Sequence, residues 1–181
     1  MIEVETKVRI SEPAFFRNRI KNIGKFIGKE KKIDDYYTLQ NSATYPRKSL
    51  RIRKIGKIKI YEINFKKRIS YISGVHAKNE LEFGTSDIKN FIDLIKDFGF
   101  KKWLRKEKIS EIYEIAKNFH IEINNVKNLG WFLEIECLSG RKDISFARKR
   151  VLDVIDKLNI KKKNIVSDGY TKMLWDLKKF S

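Results

Sequence analysis

The clearest indication of the fold is an alternating segment near the start of the sequence, Ile2-Glu3-Val4-Glu5-Thr6-Lys7-Val8-Arg9-Ile10. Apolar residues or Thr occupy its even positions, and charged residues occupy its odd positions. Because neighbouring side chains of a strand point to opposite faces, this alternation predicts a strand with one apolar face and one charged face. The charged face carries both signs, with two carboxylates followed by two basic groups.

Similar strand patterns recur along the chain, with Gly, Asn or Pro near most of their junctions. They cover 29–38, 48–55, 57–67, 75–83, 101–116, 120–125 and 131–138. Helices are predicted after Ser11-Glu12 and after Ser86, ending at Gly24 and Gly99, and two more at about 145–158 and 168–178. Eight strands and four helices do not alternate one for one, so the pattern predicts an α+β fold with a largely antiparallel sheet.

Composition predicts one domain over residues 1–181, because no Gly/Ser-rich or Pro-rich linker divides the 181 residues. Hydrophobic residues make up 41% of the chain, which excludes a disordered tail. We expect no membrane association and a cytoplasmic location, since there is neither a run of about 20 apolar residues nor an export signal. One cysteine and two histidines exclude a disulfide scaffold and a structural zinc site.

The chain has a formal net charge of +18, which suits an anionic partner such as nucleic acid or a polyphosphate. Two charge runs stand out, at 29–32 and 161–163. Such runs are most often solvated faces, with nucleic-acid contact as the alternative.

Three Glu-x-Glu pairs lie on predicted strands that lead to helices, and period two places both carboxylates of each pair on one face. The pairs are Glu3 and Glu5, Glu80 and Glu82, and Glu134 and Glu136. Residues two positions apart on a strand share a face, which we call having the same parity. By this rule Lys7 shares a face with Arg9, Arg51 with Arg53, and Lys66 with Arg68. A charged strand face usually meets solvent. Since nearly every strand has one, the sheet could instead close into a barrel with the charged faces inward.

The order of these motifs resembles the CYTH superfamily, the triphosphate tunnel metalloenzymes that include class IV adenylyl cyclases, thiamine triphosphatases and inorganic triphosphatases. The matching segments are Glu3-x-Glu5-x-Lys7, Asp34-x-Tyr36-Tyr37, Ser49-Leu50-Arg51-Ile52-Arg53, Ile63-Asn64-Phe65-Lys66, Lys78-x-Glu80-x-Glu82, Val126-x-x-Leu129-Gly130-x-Phe132-Leu133-Glu134-Ile135-Glu136 and Gly169-Tyr170. The resemblance spans essentially residues 1–175.

The resemblance implies a closed antiparallel eight-stranded barrel with helices packed outside and a charged lumen that binds a triphosphate with Mg²⁺ or Mn²⁺. The implied metal ligands are Glu3, Glu5, Glu134 and Glu136, with Glu80 and Glu82 as a further acidic wall. The implied substrate-binding residues are Lys7, Arg9, Arg51, Arg53, Lys66, Lys106 and Lys108. The implied catalytic residues are Glu3, Glu5, Lys7 and Glu136. Carboxylate oxygens suit these hard cations, and Arg and Lys suit phosphate oxygens.

Two positions depart from the family pattern. Where the family has a basic residue shortly before the tyrosine that matches Tyr113, this chain has Ser110, and the basic role could instead move to Lys106 or Arg105. Where the family has an Asp two residues before the valine that matches Val126, this chain has Asn124. Glu122 lies on the same strand face as Asn124 and could supply the missing charge. These departures favour hydrolysis of a small-molecule triphosphate.

Two alternatives remain beside hydrolysis. One is a class IV adenylyl cyclase that makes cyclic AMP and pyrophosphate from ATP. The other is a non-catalytic binder of polyphosphate or nucleic acid, a less favoured partner. We expect the protein to be a monomer or a homodimer.

Overall fold

The computed structural model describes residues 1–41, 43–55 and 60–179. The strands within these ranges are β1 (Ile2–Arg9), β2 (Lys25–Thr38), β3 (Leu50–Ile55), β4 (Tyr61–Ile72), β5 (Val75–Thr85), β6 (Lys101–Ala116), β7 (Phe119–Val126) and β8 (Gly130–Ser139). The α-helices are α1 (Pro13–Ile20), α2 (Ile88–Asp97), α3 (Ile144–Lys157) and α4 (Tyr170–Lys179). Short 3₁₀ turns cover Arg141–Asp143 and Lys162–Asn164. No helix in these ranges is long and apolar enough to cross a membrane.

The strands form a closed barrel in the order β1-β5-β4-β3-β2-β6-β7-β8, and every pairing is antiparallel. This confirms the predicted α+β fold and the predicted closure of the sheet. β1 closes the barrel, since it pairs with β5 on one side and with β8 on the other. The residues on the charged faces of neighbouring strands are therefore brought round a common interior.

The strands differ from prediction mainly in length. β2 begins at Lys25 because its first residues pair with the end of β6, where Lys25 lies opposite Glu114. β4 continues to Ile72 because it forms a tight hairpin with β5, with Ile72 opposite Val75. Of the predicted strand at 57–67, residues 57–59 lie outside the described residues. These extensions make two long ribbons, β2 with β6 and β4 with β5.

The helices cover the outer, apolar faces of the strands. In one core cluster, Val151 and Ile155 of α3 and Ile20 of α1 join buried residues of the strands around β1 and β8. In a second, Ile95 of α2 joins Ile52 and Ile63. Burial of apolar surface on the outside of the barrel supplies most of the driving force for folding. The interior is thereby left to polar side chains.

One end of the barrel is packed against the chain that follows α3. The amide of Val166 donates to the carbonyl of Lys7 at 2.8 Å. The ring of Tyr170, the first residue of α4, meets the ring of Phe132 edge to face at a centroid distance of 5.0 Å. α4 therefore brings a buried tyrosine to the end of the lumen.

Candidate active site in the barrel lumen

The lumen is lined by polar side chains that alternate along the strands with the residues of the outer core. Many of them are buried, which is rare for charged groups unless they are paired. The buried members are Glu3, Glu5, Lys7, Lys32, Asp34, Arg51, Asn64, Lys106, Lys108, Ser110 and Asn124. The parity of the strands thus places carboxylates and basic groups inside one closed barrel.

Three carboxylates converge at the seam between β1 and β8. One oxygen from each of Glu3, Glu5 and Glu136 lies within 4.8 Å of the others. The strand register explains this, because Glu5 lies directly opposite Glu136. Burial and the negative charges of Glu3 and Glu5 raise the pKa of Glu136 well above its usual value. We call Glu3, Glu5 and Glu136 the carboxylate cluster.

The carboxylate cluster fits a hard divalent cation. Lys66 Nζ lies 2.6 Å from Glu3 Oε1, and Lys78 Nζ donates to Glu5 Oε1. No ion pair joins Glu136 to a basic residue in the described ranges. Three carboxyl oxygens at this spacing are the type of ligand that Mg²⁺ or Mn²⁺ prefers.

Neighbouring lysines keep Glu5 ionised. Burial opposes its negative charge, but Lys78, Lys7 and Lys66 outweigh that effect and hold the pKa of Glu5 well below its usual value. The Glu5 carboxylate is therefore available as an anionic ligand at neutral pH.

Glu134, a predicted metal ligand, lies in a lysine-rich part of the lumen outside the carboxylate cluster. Lys108 Nζ is 3.0 Å from Glu134 Oε2, and Lys7 Nζ is 3.3 Å from Glu134 Oε1. Burial opposes ionisation, but Lys108 and Lys7 lower the pKa of Glu134 to about 2. Its charge is compensated by two lysines within the chain itself.

Glu80 and Glu82, the predicted acidic wall, also lie outside the carboxylate cluster. Asn64 donates to both carboxylates, and Lys66 Nζ is 3.2 Å from Glu80 Oε1. The side chain of Glu82 is 45% exposed, at the edge of the lumen. Through Lys66, this wall is connected to Glu3.

The two arginines of β3 face the interior and hold different partners. Arg53 binds Asp34 through two hydrogen bonds of 2.7 and 3.0 Å. Arg51 donates to Glu62, and its buried Nε has no hydrogen-bond partner in the described residues. An unpartnered guanidinium nitrogen inside the lumen is suited to an anionic ligand.

Lys106 lies in an aromatic part of the lumen. Its Nζ is 2.8 Å from Asp34 Oδ2 and lies 5.7 and 5.3 Å from the ring centroids of Tyr36 and Tyr170. Burial lowers the pKa of Lys106 to about 7, and Asp34 only partly opposes this effect. Lys106 is therefore the basic group of the lumen whose charge responds most readily to conditions near neutral pH.

Arg9, a predicted substrate-binding residue, lies at the end of the barrel and is exposed. Its guanidinium stacks over the ring of Phe132 at 4.7 Å and donates to the carbonyl of Leu129 at 3.0 Å. The parity of β1 is the same for Arg9 as for Lys7, but Arg9 is the last residue of the strand. Its role in substrate binding stays a prediction.

The two departures from the family pattern meet in the lumen. Ser110 Oγ lies 2.5 Å from Asn124 Oδ1, and Asn124 Nδ2 donates to Glu134 Oε2 at 2.7 Å. Glu122 is paired with Lys108 and Lys32, each at 2.7 Å. Glu122 therefore lies in a lysine-paired arrangement, separate from the carboxylate cluster.

Several lumen residues were absent from the predicted site. Lys78 belongs to the Lys78-x-Glu80-x-Glu82 motif but is not among the predicted binding residues. Because it lies two residues from Glu80 on one strand, the alternation of side chains could have placed it in the lumen. Lys32 belongs to a charge run expected to face solvent, yet it shares the parity of Asp34 and pairs with Glu122. Tyr170 likewise belongs to the Gly169-Tyr170 motif but is not among the predicted site residues. It is 4.3 Å from Lys7 Nζ, measured to the ring centroid.

The family model for the CYTH domain matches residues 1–170. The chain belongs to the CYTH family. Members of this family are metal-dependent triphosphatases or adenylyl cyclases.

Individual relatives are similar over nearly the full chain. The Methanocaldococcus jannaschii protein named "Putative adenylate cyclase MJ0240" is 30% identical over 178 residues, which cover 96% of this chain and 98% of that one. The PH1012 protein of Pyrococcus horikoshii OT3 is 29% identical with a TM-score of 0.78, covering 94% and 98% of the two chains. HpAC1 from Hippeastrum, described as a putative adenylyl cyclase with a dominant triphosphatase activity, is 12% identical with a TM-score of 0.67, covering 98% and 95% of the two chains. At that identity the likeness to HpAC1 shows the fold alone.

Proposed function

We propose that this CYTH protein is a divalent-metal-dependent enzyme that hydrolyses a triphosphate bound in its lumen. The observation that carries the proposal is the placement of one three-carboxylate cluster beside inward-facing Lys and Arg side chains in a closed barrel. A cluster of carboxylates alone would serve a cation, and a basic lumen alone would serve any polyanion. Their combination suits a polyphosphate that carries its own cation.

The basic groups would bind and orient the phosphate chain. Lys7, Arg51, Arg53, Lys66, Lys106 and Lys108 face the lumen and are paired with carboxylates of the same chain. A bound triphosphate offers phosphate oxygens in exchange for these carboxylates, and Arg51 Nε gains a partner that it lacks. Such charge-assisted hydrogen bonds hold the substrate in one orientation, which reduces the entropic cost of reaching the transition state.

The carboxylate cluster would hold Mg²⁺ or Mn²⁺ through Glu3, Glu5 and Glu136. When bound, the cation supplies charge stabilisation for a phosphoryl group and lowers the pKa of coordinated water. Burial and the charges of Glu3 and Glu5 raise the pKa of Glu136, and a bound cation would favour its ionised form. Lys66 contacts both Glu3 and Glu80, so its ammonium group would be available to a phosphate bound near the carboxylate cluster.

Hydrolysis is preferred to cyclisation because of Asn124. Where the family pattern has an Asp, the neutral amide donates to Glu134, and Glu122 is occupied by two lysines. Among the described residues, one cluster of three carboxylates therefore remains to hold a cation. The name of the Methanocaldococcus jannaschii relative favours adenylyl cyclase as the second candidate.

The proposal is tested with a substrate panel. Tripolyphosphate, thiamine triphosphate and ATP are incubated with Mg²⁺ or Mn²⁺, and phosphate, pyrophosphate and cyclic AMP are measured. We expect phosphate release that is abolished by EDTA and by Glu136→Gln, and retained in Glu12→Gln, which alters an exposed carboxylate outside the lumen. Cyclic AMP and pyrophosphate as main products would support the cyclase instead. Metal-independent binding without turnover would support the non-catalytic binder.

A further inference from the structure

The charge run at 161–163 lies outside the barrel and takes no part in the lumen. Arg19 of α1 donates Nη2 to the carbonyl of Lys157, at the end of α3, at 3.3 Å, so the ends of α1 and α3 meet at this place. The run begins four residues after Lys157, the last residue of α3, and all three lysines are exposed. We call the basic residues at this junction the basic corner. It comprises Arg19, Lys21, Lys157, Lys161, Lys162 and Lys163.

The two charge runs of the sequence differ in their partners. In 29–32, Lys32 enters the lumen to pair with Glu122, and Lys31 Nζ lies 3.9 Å from Glu107. No ion pair, in contrast, joins the basic corner to a carboxylate in the ranges that the structure describes. The acidic residues at the end of α3, Asp153 and Asp156, are fewer than the basic ones. The positive charge of the basic corner is therefore largely uncompensated.

Among the residues that the structure describes, the excess of positive charge lies outside the lumen. Eight basic residues belong to the lumen: Lys7, Lys32, Arg51, Arg53, Lys66, Lys78, Lys106 and Lys108. Nine acidic residues lie in it or at its edge: Glu3, Glu5, Asp34, Glu62, Glu80, Glu82, Glu122, Glu134 and Glu136. The chain has 41 basic and 23 acidic residues. Apart from Lys57 and Lys59, which are not among the described residues, 31 basic and 14 acidic residues therefore remain outside the lumen. Binding of a triphosphate in the lumen therefore does not explain the positive charge on the outside of the protein.

An exposed aromatic ring adjoins the basic corner. Phe15 of α1 is 48% exposed, and the guanidinium of Arg19 lies 5.3 Å from its ring centroid. Proteins that bind single-stranded nucleic acid combine basic groups for the phosphates with aromatic rings on which bases stack. α1 has only eight residues and buries Ile20 in the core, so it offers no broad apolar face to a lipid bilayer.

We propose that the basic corner binds single-stranded nucleic acid, with its lysines on the phosphates and Phe15 stacked on a base. This surface is separate from the lumen, and the proposal is independent of the reaction catalysed there. The protein would then hold a nucleic-acid strand on its outside while its lumen takes a small triphosphate.

The test compares two variants of equal charge by fluorescence anisotropy, with a labelled 20-nucleotide single-stranded RNA of mixed sequence. One carries Lys161→Gln, Lys162→Gln and Lys163→Gln. The control carries three substitutions at scattered exposed lysines, Lys89→Gln, Lys101→Gln and Lys117→Gln. We expect the first variant to lose about 10- to 100-fold in affinity near 0.1 M salt, with a salt slope smaller by about 2. Equal losses in both variants would show attraction by net charge alone and overturn the proposal.

A second measurement separates stacking from charge. Phe15→Ala should weaken binding to the single strand by about tenfold while leaving the salt slope unchanged. Tripolyphosphate turnover should be unchanged in these variants, because none of the altered residues lies in the lumen. If the 161–163 variant instead lost binding to phosphatidylserine vesicles and kept its affinity for RNA, the basic corner would be a membrane surface and the proposal would be wrong.

Discussion

Lys66 Nζ lies 2.6 and 2.7 Å from the two carboxylate oxygens of Glu3, although β5 separates the strands that carry them. Lys66 therefore competes with a cation for Glu3 and also offers its charge to a phosphate. We expect Lys66→Met to tighten Mg²⁺ binding severalfold while weakening triphosphate binding by about 1.5–3 kcal/mol. Titration calorimetry with Mg²⁺ alone and with tripolyphosphate alone measures both effects. If Lys66→Met weakened both Mg²⁺ binding and tripolyphosphate binding, the role of Lys66 would be limited to positioning the Glu3 carboxylate.

The repulsion within the carboxylate cluster predicts the behaviour of Glu136→Gln. Without metal and at a pH above the raised pKa of Glu136, this variant should unfold at a higher temperature than the wild type, because the substitution then removes a buried negative charge from beside Glu3 and Glu5. It should also lose the stabilisation that Mg²⁺ gives to the wild type. Differential scanning calorimetry with EDTA and with Mg²⁺ tests this. A lower melting temperature in EDTA would contradict the repulsion.

The raised pKa of Glu136 gives the metal-free protein a pH dependence with a definite sign. Above the ordinary pKa of a glutamate, the folded protein keeps a proton that the unfolded chain releases. The stability from this proton is complete below the ordinary pKa and is lost as the pH rises through the raised one, by at most about 1.4 kcal/mol per pH unit. Urea unfolding in EDTA should show this loss for the wild type and a smaller one for Glu136→Gln.

The two arginines of β3 should respond differently to removal. Arg51→Ala should weaken triphosphate binding by about 1.5–3 kcal/mol with little loss of stability, since its partners Glu62 and Glu82 reach solvent. Arg53→Ala should in addition destabilise the fold by about 3 kcal/mol, because Asp34 is fully buried and loses two hydrogen bonds. Substrate affinity and urea unfolding, measured on both variants, separate the effects. Unchanged affinity in both would remove the phosphate-binding assignment.

The lowered pKa of Lys106 predicts how substrate binding depends on pH. With a pKa of about 7, the ammonium is lost as the pH rises above neutrality in the free enzyme. The KM for tripolyphosphate should therefore rise between about pH 7 and 9 in the wild type, and less steeply in Lys106→Arg, where the charge persists. Identical pH profiles of KM for the two proteins would exclude a contribution from the Lys106 charge.

The lumen could be predicted from sequence because strand parity sorts side chains between two faces. The alternation in β1 placed Glu3, Glu5 and Lys7 together, and pairing with β8 adds Glu136 to them. Which carboxylate takes which lysine could not be predicted, because that depends on the tilt of strands around the barrel. Lys66 thus reaches Glu3 from a strand that is not its neighbour.

Position along a strand was the other limit of the sequence pattern. Arg9 has the parity of a lumen residue, but it lies at the end of β1, where it contacts Phe132 and Leu129. Lys32 shows the opposite case, since a run of charges suggested solvent and the barrel placed one member inside. The alternation of residues along a strand predicts which face of the sheet a side chain lies on. How far inside the lumen that side chain lies is known only from the closed barrel.

The pairing of β1 with β8 sets an order of events during synthesis on the ribosome. Glu3 and Glu5 emerge more than a hundred residues before Glu136 and the strand that holds it opposite Glu5. Until then β1 lacks one of its two neighbours, and such sequence-distant contacts form slowly. A nascent chain that has not reached β8 cannot assemble the carboxylate cluster, so the ability to capture a cation would report that the barrel has closed.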